Sequence, residues 1–133
     1  MRTFWLAAAL TLGLAAAAPA QDGGHRAVIE AQIAAFLADD FAAAFDFASP
    51  NIRAIFGTPE RFGQMVTQGY PMVHRPSELR FLEQAERGGA ILQRVLVTDQ
   101  AGRLHVLGYE MIPGGAGFVI NGVRIVPGGA TGV

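Results

Sequence analysis

Between His25 and Phe47 apolar residues return every three or four positions, at Val28, Ile29, Ile33, Phe36, Leu37, Phe41 and Phe45, with Glu30, Gln32, Asp39 and Asp40 between them. The spacing predicts one amphipathic helix of about five turns, long enough to lie across a sheet. Two shorter helices follow. In SPNIRAIFG, Ser49 can accept from free N–H groups of a first turn, Pro50 suits the first helical position and Gly57 ends the run. The pattern repeats at once with Thr58 as cap, Pro59, Glu60 and the body RFGQMVTQ, ending at Gly69, with Phe62, Met65 and Val66 as the apolar stripe. Gly63 lies inside this helix at a cost of about 1 kcal/mol relative to alanine, which asks for close packing as a reason. The next segment, YPMVHRP, carries two prolines and reads as an extended connector.

Beyond it the period falls to two. SELRFLEQAERGG reads as a strand closed by a Gly88-Gly89 turn, and AILQRVLVT, rich in β-branched residues, as a central strand. Asp99 to Gly102 forms a turn, RLHVLGYEMI a third strand, Pro113 to Gly117 a loop, and FVINGVRIV a fourth strand with Asn121-Gly122 as a bulge or bend. Helices first and then a meander give an α+β fold: a long N-terminal helix and two short helices packed on an antiparallel sheet of about four strands. Around Arg94, Leu92 and Leu96 stand on one side and Val95 and Val97 on the other, so the sheet is apolar on both faces. One face can take the long helix; the other meets water, a ligand or a partner, and a homodimer through the sheet is expected.

Composition adds location. Met1-Arg2-Thr3, an apolar run from Phe4 to Leu14 and the small residues Ala18-Pro19-Ala20 make residues 1–20 a secretory signal peptide, cleaved before Gln21. The run is too short for a convincing membrane span, so no stable membrane anchor is expected after cleavage. Residues 21–133 then form one periplasmic or secreted domain, large enough to fold without disulfides, in keeping with the absence of cysteine. Lysine is also absent, and the mature part carries a small negative charge, which argues against nucleic acid as a partner.

The block AFDFASPNIRAIFGTPERFGQMVTQGYPMV, with the later GYEM and the terminal FVINGVRIVP, resembles domain of unknown function family 4864, a family of exported proteobacterial proteins. The order of a long helix, short helices and a meander ending in INGVRIVP is also similar to the nuclear transport factor 2-like cone shared with ketosteroid isomerases. That likeness implies a curved, cone-like sheet and a pocket between its concave face and the helices, with its mouth near the short helices. Fold alone does not imply an enzyme.

For such a pocket, Phe62, Met65 and Met72 supply apolar walls and Tyr70, His74 and Tyr109 a polar lining, the mixture small-molecule sites use. The alternative is that Tyr70 packs at the end of the helix pair and Arg75 pairs with a surface acid. His25 falls at the start of the mature chain, and neither His74 nor His105 has a histidine or cysteine at ligand spacing, so no metal site is expected. Ser49 lacks the G-x-S-x-G context of a nucleophile, and the PGGAG loop lacks the helix and Gly-Lys of a phosphate cradle. No catalytic residue and no cofactor is assigned. The sequence thus points to a small apolar or amphipathic ligand or a protein partner for a non-enzymatic module. An isomerase- or lyase-like enzyme built on an ionisable pocket residue, or a purely structural homodimer, are the alternatives.

Overall fold

Helices α1 (His25–Leu37), α2 (Phe41–Asp46), α3 (Pro50–Phe56), α4 (Pro59–Gly69) and α5 (Pro71–His74) precede strands β1 (Glu78–Arg87), β2 (Ala90–Thr98), β3 (Leu104–Pro113) and β4 (Phe118–Ile125). The computed structural model describes residues 24–127; the expected signal peptide and its cleavage point lie outside them. The strands form one antiparallel meander in the order β1-β2-β3-β4. The α+β class and the strands read from the period-two pattern therefore stand, including the Gly88-Gly89 turn, where φ is 59° and 87°. Positive φ at both central residues is what a two-residue hairpin with right-twisted strands requires.

The helical half departs from expectation in two places. The single helix expected over residues 25–47 is broken after Leu37, because Asp39 takes a left-handed φ of 57° and the Asp40 carboxylate restarts the chain by accepting from Ala43 N at 3.1 Å. Short acidic side chains tolerate both roles better than the surrounding alanines would. The connector expected to be extended contains α5, with Pro71 in its first turn and Met72 and Val73 buried. The two Pro-started helices form as read: Ser49 Oγ accepts from Ile52 N at 3.2 Å and Thr58 Oγ1 from Arg61 N at 3.2 Å.

The core joins the helices to one sheet face. Ile29, Ile33 and Phe36 of α1 pack with Phe45, Phe62 and Val66 against Ile91, Val95 and Val97 of β2 and Leu107, Tyr109 and Met111 of β3. Phe62 is the hub of an aromatic cluster, with ring centroids 5.3 Å from Phe45, 5.8 Å from Phe56 and 5.9 Å from Phe36. The opposite face carries Leu92, Leu96, Ile112 and Val119, all partly buried, beside the exposed Arg94.

His25 opens α1 and belongs to the packed interior. It is fully buried, its Nε2 donates to Gln93 Oε1 at 2.8 Å, and its ring meets Phe118 edge-on at 5.9 Å. Gln93 Nε2 in turn donates to Leu82 O at 3.0 Å, where β1 shifts register against β2. A bulge leaves backbone groups without ladder partners, and a buried glutamine amide supplies one.

Candidate functional site

A cavity of about 220 Å³ lies between the helices and β4. Its walls come from α1 (Phe36), α3 (Ile52 and Phe56), α4 (Phe62, Met65 and Val66) and β4 (Ile120 and Val123). Gln32 and Tyr70 are the two polar side chains that border it among the described residues.

The wall formed by α3 is pinned from below. Ala48 bridges Ile120 in parallel, Ser49 N donates to Ile120 O at 2.8 Å, and Ile120 N donates to Phe47 O at 2.9 Å. Ser49 is fully buried, and its Oγ–H donates to Asn121 Oδ1 at 2.7 Å. Asn121 is the bulged residue of β4, since Ile120 pairs with Met111 and Gly122 with Glu110. The bulge that the Asn-Gly pair predicts thus turns an amide towards the cap of α3. Above that anchor the helix buries none of its residues, and it ends at Gly57 with φ 82°.

Three of the six residues expected in a pocket lining border this cavity: Phe62, Met65 and Tyr70. Tyr70 Oη–H donates to Val123 O at 3.0 Å, fixing the ring against β4. Met72 is buried in the core. His74 lies elsewhere, bonded to Asp39 Oδ1 at 2.8 Å and tilted over Phe41 at 5.9 Å. Arg75 grips the same carboxylate, its NH2 donating to Oδ1 at 3.0 Å and Oδ2 at 2.9 Å, so the alternative of an arginine paired with a surface acid describes it. The hydrogen bond from His74, and then those from Arg75, hold Asp39 below its ordinary value of 3.8. Tyr109 is fully buried, and its hydroxyl has no hydrogen-bond partner among the described residues. Burial, with a smaller contribution from Tyr70 nearby, pushes its ionisation upward, so it is a neutral phenol at any ordinary pH.

His105 bonds Asp99 Oδ2 at 2.9 Å at the β2–β3 turn, and Glu110 Oε1 accepts from Asn121 Nδ2 at 3.4 Å. No histidine, aspartate, glutamate or arginine borders the cavity among the described residues. No group of three or more His, Asp or Glu among them could hold a metal ion.

Sequence reasoning did not place Gln32, Phe36, Ile52 or Phe56 at the site. For Gln32 a signal was present: it stands three after Ile29 and four before Phe36, a polar residue on the apolar stripe of α1. A polar residue at a core-facing position needs a partner, and Gln32 Nε2 has one in Ala44 O at 3.0 Å.

The family model described as Domain of unknown function (DUF4864) matches residues 19–131. No curated protein and no solved structure matches the chain.

Proposed function

Since the chain belongs to the DUF4864 family, whose description assigns no activity, we propose from the site itself that this protein binds a small apolar molecule without transforming it. The observation that carries the reading is the cavity of about 220 Å³ with walls of phenylalanine, isoleucine, methionine and valine. Interiors normally close such space by packing, and an opening held between a pinned helix and a bulged strand is what a ligand site needs. The cone resemblance gives the same location for a ligand, between sheet and helices. Binding is favoured over catalysis because Gln32 does not titrate and Tyr70 has its proton committed to Val123 O. His74, His105 and Glu110 are each bonded away from the cavity. The N-terminal sequence supports export, which would place the binding outside the cytoplasm.

Thermal melting of the purified protein against a panel of one- and two-ring apolar compounds tests this. A ligand at about 100 times its Kd stabilises by about 2.7 kcal/mol, a shift of several degrees for a domain of this size. Ile52→Trp, which fills the cavity, is expected to abolish the shift while leaving the melt cooperative. A panel in which no compound shifts the wild-type melt would sink the proposal.

A further inference from the structure

The cavity's two polar side chains share one property. Gln32 is only 3% exposed, and its Nε2 donates to Ala44 O. A carbonyl can only accept, so the amide orientation is fixed, and Oε1 has no hydrogen bond among the described residues. Tyr70 has given its single proton to Val123 O, which leaves Oη with accepting lone pairs. Gln32 Oε1 and Tyr70 Oη are therefore both free to accept, and of the two side chains only the second Nε2–H of Gln32 is left to donate.

We infer that the ligand is a neutral apolar molecule carrying a hydrogen-bond donor, a hydroxyl or N–H group, and that Gln32 Oε1 is the acceptor that selects it. This rests on the reading of the cavity as a ligand site and narrows its chemistry. An acceptor that a bound ligand covers without pairing costs free energy, so a ligand that supplies a proton gains over one of the same shape that does not. A carboxylate brings lone pairs towards two acceptors in a lining with no cationic side chain, and loses its hydration without compensation. The volume sets the size. An apolar cavity of about 150 Å³ accommodates benzene, so this one suits one or two fused rings or a short alkyl chain.

Four probes of one shape separate the possibilities in calorimetric titrations: naphthalene, 2-naphthol, 2-methoxynaphthalene and 2-naphthoate. The expected order has 2-naphthol about three- to tenfold tighter than naphthalene, the net worth of one hydrogen bond. 2-Methoxynaphthalene, with oxygen but no proton, binds no better than naphthalene, and 2-naphthoate binds at least about tenfold more weakly than 2-naphthol. In Gln32→Leu, 2-naphthol falls to the level of naphthalene, while retained naphthalene binding reports an intact cavity. Binding of none of the four by the wild type overturns the cavity reading and this inference together. Naphthalene binding with 2-naphthol no tighter, or with 2-naphthoate tightest, overturns only the donor requirement. The wild-type series decides the matter even if Gln32→Leu fails to fold.

Discussion

Gly63 sits in mid-α4 because an aromatic ring occupies the space its side chain would need. A Cβ built there would meet Phe41 Cγ at 2.8 Å and Cδ1 at 2.9 Å, closer than carbon atoms tolerate. The helix gives up about 1 kcal/mol of propensity so that α2 can lay a ring on its backbone. Gly63→Ala is therefore expected to destabilise by about 1–3 kcal/mol, the usual cost of overpacking, despite its better helix propensity. In a Phe41→Ala background the same change should be neutral or stabilising. Urea unfolding of the four proteins in this cycle checks it, and equal damage in both backgrounds would remove the packing explanation.

At the scale of elements, the break between α1 and α2 is held from outside. Asp39 takes a backbone shape few side chains prefer, and its carboxylate is claimed by His74 and Arg75 at the end of α5. Arg75 also donates to Phe36 O at 2.9 Å, so α5 clasps the C-terminus of α1. Because folded Asp39 titrates below its ordinary 3.8, its contribution to stability is present above that pH and is lost as pH falls through the lower folded value. Asp39→Asn, which tolerates the same φ, should be less stable than wild type at about pH 6, with the difference shrinking below about pH 4. Denaturant midpoints measured down to about pH 2 test this; a constant difference would show that the charge is not what the clasp uses.

Across the whole molecule, the structure joins two distant parts of the chain at one seam. ASPN and ING, about 70 residues apart, meet where Ser49 Oγ–H donates to Asn121 Oδ1, and this seam forms the base of the cavity wall. Ser49 thus serves two partners, where the exposed Thr58 serves only its own helix. Ser49→Ala is expected to cost about 2 kcal/mol or more, the loss of a cap plus an orphaned amide oxygen, against about 1 kcal/mol for Thr58→Ala. Equal losses in urea unfolding would reduce Ser49 to an ordinary cap. The homodimer expected from the sequence concerns a separate surface, the sheet face of Leu92, Leu96, Ile112 and Val119 away from the helices.

By itself the sequence determined what depends on neighbours along the chain. Ser49-Pro50 and Thr58-Pro59 start helices, Gly88-Gly89 turns a hairpin, the β-branched run AILQRVLVT makes a strand, and Phe62, Met65 and Val66 share one stripe of α4. Each follows from local dihedral preference or from periodicity. What only the tertiary structure decided involves partners far apart in sequence. The break at Asp39 is held by His74 and Arg75, which bond its carboxylate from the end of α5, and His25 is buried with its ring bonded to Gln93, 68 positions away. Gln32 shows the boundary most clearly. Its place on an apolar stripe was readable, but that its amide nitrogen donates to Ala44 O, with Oε1 unbonded among the described residues, depends on where α2 packs. The spacing along one helix carries no record of that.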